Sequence, residues 1–148
     1  MSVHASAFLD SARAMIKSGA EINCRNCISR AYYATFHVAR PLARKFGSSW
    51  SGDLQGGAHE RVICRLEREG NPSAVQWIGA ELRKLKGLRV EADYRLSAHV
   101  TRLKANSAVD AARQICELVD EISNGRTRAR GALKRRRKAK TEKRSHGR

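Results

Sequence analysis

Arg30 and His37 are the residues whose types and spacing best suit chemistry in this chain. Arginine is always charged and presents a planar fork of donors that fits a phosphate, while histidine, with an unperturbed pKa of about 6.5, moves protons near neutrality. Seven positions apart on a helix, the two lie within about 20° of each other around the axis and roughly 10 Å apart along it. A proton donor or acceptor beside a fixed positive charge suits phosphodiester cleavage. The same spacing also arises where an exposed arginine merely neighbours a half-buried histidine. If the stretch is helical, Asn26, Arg30, Tyr33, His37, Arg40 and Arg44 recur at offsets of three and four and share one polar, basic stripe.

Such a stripe needs an apolar face on the same helix to hold it in a core. Ile28, Ala31, Thr35, Val38 and Leu42 supply one at similar spacing, with Tyr32 and Phe36 beside them. Pro41 falls inside the helix, has no N–H for the carbonyl of His37 and predicts a kink next to the pair. A first helix is expected from about Ser2 to Lys17, ending at Ser18-Gly19, with His4 solvated at its start. The second follows from about Glu21 as its antiparallel partner. Residues 47–57, glycine-rich around Trp50, read as a loop, either a connector with Trp50 pinned on the bundle or a flap near the site.

His59, Val62, Ile63, Leu66 and Glu67 describe a third helix ending at Gly70, with His59 serving as a cap, an exposed group or a second polar group near the site. Asn71-Pro72 starts a fourth, whose stripe of Val75, Ile78, Leu82, Leu85 and Leu88 faces the core. Its end runs into Arg89-Val-Glu-Ala-Asp93-Tyr94, where Arg89 and Asp93, four apart, can pair. A fifth spans about Thr101 to Ser123, stopped by Asn124-Gly125. His99, in the connection before it, shows no partner in the sequence. The expected fold is all-α, an antiparallel bundle of about five helices over residues 1–124 followed by a basic tail over 125–148.

The 148 residues and 41% hydrophobic content suit one modest core, and with aromatics at only 5% small aliphatics must fill it. The net charge is +16, and residues 126–148 hold twelve Lys or Arg against one Glu, so +11 of it belongs to the tail. Arg126, Arg128, Arg130, Lys134, Arg135, Arg136, Arg137 and Lys138 stand among almost no apolar residues, which predicts disorder in the free chain. A run like this attracts polyanions such as RNA without reading sequence; a solvating tail and a contact for an acidic partner are the other readings. No stretch is apolar enough for a signal peptide or a membrane span, so the expected location is the cytoplasm, with no membrane partner and the four cysteines reduced. Cys24-Arg-Asn-Cys27 has the spacing of half a zinc site or a redox pair, but no second pair with structural-zinc spacing follows. No glycine-rich phosphate loop, Gly-x-Ser-x-Gly elbow or His-Glu-x-x-His helix is present. No metal and no cofactor is expected.

The run Ser29-Arg30-Ala31-Tyr32-Tyr33-Ala34-Thr35-Phe36-His37-Val38-Ala39-Arg40, with Leu88-Arg89-Val90-Glu91-Ala92-Asp93-Tyr94 later in the chain, resembles the HEPN domains. These are small prokaryotic helical bundles often encoded beside nucleotidyltransferase-like antitoxins. The resemblance covers roughly residues 5 to 123. It implies a bundle, usually a homodimer, in which an Arg-(four to six residues)-His motif forms a metal-independent RNase site across the dimer. Arg30 and His37 match that motif with six residues between them, and His59 sits where the family often has a histidine opening its third helix. The later motif lies against the second helix in the family, which places Asp93 and Tyr94 to orient Arg30 or His37, or else to latch the bundle shut. Ala31 stands where a polar residue commonly follows the Arg, and members built on the Tyr-Tyr-Ala-x-Phe-His run often serve as binding partners.

Two functions follow. One is a toxin-type ribonuclease with His37 as acid or base, Arg30 stabilising the phosphate, Tyr33 holding the phosphate or the histidine tautomer, and the tail concentrating RNA. The other is a non-catalytic module binding a nucleotide, RNA or a nucleotidyltransferase partner, with Asn26, Arg30, Tyr33, Arg89, Asp93 and Tyr94 serving recognition or packing.

Overall fold

The computed structural model describes residues 3–45, 56–69 and 73–125. Trp50, the Asn71-Pro72 start signal and the basic run from Arg126 lie outside them. The described residues form five helices and no strand: α1 (Ala5–Ile16), α2 (Glu21–Arg44), α3 (Ala58–Glu69), α4 (Ser73–Tyr94) and α5 (Arg102–Ser123).

α2 is the axis of the molecule because it alone packs against all four other helices. Its composition permits this. Ala31, Ala34, Ala39 and Ala43 are buried along it, and their small side chains let neighbouring helices approach closely around the larger Ile28, Tyr32, Phe36 and Leu42. Thr35 is fully buried but satisfied, since its hydroxyl donates to the carbonyl of Tyr32 at 2.7 Å. The helix continues through Pro41, whose ring faces solvent, to Arg44.

α1 begins at Ala5, later than the sequence signals suggested, with His4 exposed at its N-cap and making no capping bond. Gly19, at φ +70°, takes the left-handed conformation that turns the chain into α2, so the two helices pack antiparallel. α5 is capped at its start by Thr101, whose side chain accepts from Lys104 N at 3.2 Å, and its alanine-rich stripe of Ala105, Ala108 and Ala112 with Ile115 and Val119 lies against α2.

α3 is attached mainly to α4. Val62, Ile63 and Leu66 are buried, and an ionic lattice closes the outer seam: Arg83 meets Glu60 at 2.7 Å and Glu67 at 2.8 Å, and Lys86 meets Glu60 at 2.5 Å. Gly79 is what lets the two backbones come together, since a Cβ there would stand 2.8 Å from the amide nitrogen of Glu67.

The connection from α4 to α5 is held by a residue that periodicity does not single out. Arg25 is buried on α2, and its guanidinium donates to the carbonyls of Ala92 at 2.8 Å and Arg95 at 3.3 Å, and to those of Leu96 and Ala98. It also pairs with Glu21 at 2.9 Å. One cation thus satisfies the carbonyl of Ala92, which the end of α4 leaves without an intrahelical donor, and gathers three more from the connection that follows. His99, without an evident partner in the sequence, meets the same Glu21 at 2.9 Å, and Val100 N donates to it at 3.2 Å. Arg25 and the other donors hold the Glu21 carboxyl below the usual carboxylate range.

Candidate functional site

α1 and α4 both pack on α2 without touching each other, so a strip of α2 stays open between them. The polar stripe lies on that strip. Asn26, Arg30, His37, Arg40 and Arg44 are exposed on it, and Tyr33 is half-buried at its middle.

Each wall contributes to the strip. From α1, Phe8 projects onto it, with its ring centre 5.2 Å from that of His37 and 6.4 Å from that of Tyr33. The guanidinium of Arg30 lies 5.8 Å from the same Phe8 ring. Arg30 and His37 therefore flank one aromatic side chain, which fills the gap that two helical turns leave between them.

From α4, Arg89 reaches the opposite edge. Its guanidinium sits between two rings, 5.6 Å from the centre of Tyr33 and 5.3 Å from that of Tyr94, and donates to the Tyr33 hydroxyl at 3.2 Å. Asp93 fixes it by the pairing expected from the four-residue spacing, at 2.7 Å, and accepts from Ser29 at 3.3 Å. The later motif thus does lie against α2, but its side chains bond to Ser29 and Tyr33, and its Ala92 carbonyl to Arg25. Asp93 holds Arg89, and Tyr94, 67% exposed, covers the outer face of that guanidinium.

α3 adds His59 at its second position. The Nδ1 atom of His59 is 2.8 Å from the Tyr32 hydroxyl, and its ring lies 4.0 Å from that of Phe36 and 6.1 Å from that of Tyr33, centre to centre. Among the roles open to it, the packed polar group beside the strip is the one that its surroundings match. Burial, and then Arg89, Lys86, His37 and Arg40, lower its pKa. Burial also pushes the Tyr32 phenol up, so that it stays protonated.

Two of the four cysteines belong to the core. Cys24 and Cys27 are buried free thiols one turn apart on α2, and burial raises Cys27 to about 11, as it does the half-buried Cys116. Thiols held that high are poor ligands and nucleophiles. Among the described residues no group of three or more His, Cys, Asp or Glu is placed to hold a metal ion, and no helix is long and apolar enough to cross a membrane.

The model of the HEPN domain matches residues 3–122. This chain belongs to the HEPN family. No curated protein and no solved structure matched it. The HEPN family includes ribonucleases and non-catalytic members. The open strip of this HEPN domain carries Arg30 and His37, which stand on α2 with six residues between them. Sequence reasoning missed Phe8 and Ser29 as neighbours of that pattern: Phe8 reads as an ordinary core position of α1, and Ser29 acquires its role only when Asp93 is folded onto it.

Proposed function

We propose that this HEPN protein is a metal-independent endoribonuclease of the toxin type. The observation that supports it is the shared setting of Arg30 and His37, both on the open strip of α2 and both against Phe8. In this reading a ribose 2′-hydroxyl attacks the adjacent phosphate, Arg30 stabilises the charge that builds on the phosphoryl oxygens, and His37 transfers a proton. Arg40, Arg44 and Arg89 make the strip attractive to a polyanion, and the segment from Arg126 adds a sequence-independent pull. A second copy of the chain completes the cleft, and a nucleotidyltransferase-like antitoxin is the partner that restrains it. In this reading the protein acts in the cytoplasm.

A second reading has its own support. Ser29, Tyr33, Arg89 and Asp93 are linked in one chain of hydrogen bonds and an ion pair, and a polar network tied together in this way suits packing or recognition as well as catalysis. Under it the protein is a non-catalytic module for RNA, a nucleotide or the nucleotidyltransferase partner.

Incubating wild type and His37→Ala with labelled total RNA in EDTA, with thermal melts of both, separates the two. The ribonuclease reading expects cleavage by wild type alone and similar melts, because His37 is exposed. RNA retained by both proteins but cut by neither would give the binding module; activity abolished by EDTA would refute the metal-free mechanism.

A further inference from the structure

Cleavage by a 2′-hydroxyl moves two protons. The O2′–P bond forms as a proton leaves O2′, and the P–O5′ bond breaks as a proton reaches O5′, giving a 2′,3′-cyclic phosphate and a free 5′-hydroxyl. Within one protomer the open strip itself carries a single imidazole, His37, so the second transfer needs a group from a neighbouring helix or from the second copy of the chain. We infer, on the basis of the ribonuclease reading, that His59 is the second proton-transfer group of the site: it takes the O2′ proton while His37 gives one to O5′.

The two histidines come from different helices but share a surface. Phe36 has His37 at 5.8 Å and His59 at 4.0 Å, and Tyr33 has them at 6.3 Å and 6.1 Å, ring centre to ring centre. They are thus neighbours across two aromatic rings rather than separate features. His59 is also held in one orientation, as a general base must be, by the Tyr32 hydroxyl at Nδ1. When Nδ1–H donates to that hydroxyl, the lone pair on Nε2 is free to accept a proton. Tyr32 is buried and protonated, so it orients the ring without a charge of its own.

The groups facing His59 favour its neutral form. From α2 these are His37, Arg40, Tyr32 and Tyr33; from α4 they are Lys86 and Arg89; on α3 itself Glu60 is already engaged by Lys86 and Arg83. Burial and this cationic surround keep the imidazole neutral at pH 7, ready to accept. The same cations draw in the phosphate whose 2′-hydroxyl it would deprotonate.

The test uses a labelled RNA oligonucleotide and its counterpart with sulfur in place of one bridging 5′-oxygen, a leaving group that departs without an acid. His59→Gln should slow cleavage of normal RNA by about a hundredfold or more, and sulfur should not restore it. His37→Ala should lose as much on normal RNA and recover most of it on the sulfur substrate. Tyr32→Phe preserves the ring packing and removes only the orienting hydroxyl. As a positioning change it should cost roughly tenfold and shift the acidic limb of the pH–rate profile, where the base must lose its proton. It carries the test if His59→Gln melts far below wild type. His59→Gln cutting normal RNA like wild type, recovery of His59→Gln by sulfur, or an unmoved acidic limb in Tyr32→Phe would each overturn the role. A wild type inert on both substrates would instead remove the ribonuclease reading, and this role with it.

Discussion

Replacing Arg25 by alanine should destabilise the bundle and loosen one wall of the site. The side chain is 7% exposed and its guanidinium reaches four backbone carbonyls and the Glu21 carboxylate. Arg95 and Leu96 are exposed residues whose carbonyls water can solvate after the change, whereas Ala92 is buried and its carbonyl would lose a 2.8 Å charge-assisted donor outright. Hydrogen bonds to charged groups contribute about 1.5–3 kcal/mol each, and an orphaned buried acceptor costs about 1–3, so a net loss on the order of 3 kcal/mol is expected after resolvation. For a domain of this size that lowers Tm by roughly 10 °C. Arg25→Lys, which keeps the charge but not the fork, should fall between the two. Thermal and urea unfolding followed by circular dichroism would measure it. A variant melting within about 2 °C of wild type would show that the α4–α5 connection does not depend on this cation.

Gly79→Ala pits helix propensity, worth about 1 kcal/mol in favour of alanine, against a Cβ 2.8 Å from the Glu67 amide; crowding should win by about 1–2 kcal/mol, seen as a lower urea midpoint. A stabilised variant would mean that α3 and α4 do not approach so closely. Lys86 and then Arg83 depress Glu60 to about 2, so its contribution is present above the unfolded carboxylate value near 4.5 and is lost as pH falls toward 2. Glu60→Gln should accordingly be about 1 kcal/mol less stable at pH 7, the group being partly exposed, and the difference should close across that acid window; a gap independent of pH would contradict the ion-pair account. Deleting residues 126–148 removes +11 of charge and should flatten the dependence of RNA affinity on salt, by a slope of about 0.7 for each phosphate that the tail had neutralised. An unchanged slope would assign the affinity to the bundle alone.

Periodicity made the start of α2 and both ends of α5 legible almost to the residue, since each has one long apolar stripe, Ser18-Gly19 stops α1 just ahead of α2, and Asn124-Gly125 stops α5. It also placed Asn26, Arg30, His37, Arg40 and Arg44 on one exposed face, because a helix converts offsets of three and four into adjacency. Arg25 was hidden by the same logic. It lies beside Cys24 and Cys27 on the buried side, where a charge makes sense only once the carbonyls of residues 92–98 fold over it. His99 with Glu21 and His59 with Tyr32 are likewise pairs separated by dozens of positions. Local spacing is silent about contacts of that range. The motif at Arg89 and Asp93 shows both sides of this: the i,i+4 ion pair was readable, whereas its attachment to Ser29 and Tyr33 was not.

Each helix that packs directly beside the strip contributes one kind of group to it: α1 an aromatic spacer, α4 a clamped arginine and α3 an oriented imidazole. The three are not held equally. α1 is tied to α2 through a four-residue turn, and the end of α4 is pinned by the buried Arg25, but α3 rests chiefly on α4, through Gly79 and a half-exposed lattice of Glu60, Glu67, Arg83 and Lys86. Ion pairs at that exposure are individually weak and screened by salt. The position of His59 therefore depends on the least firmly attached helix of the bundle, and a change confined to the α3–α4 seam should alter the chemistry of the strip before it unfolds the core.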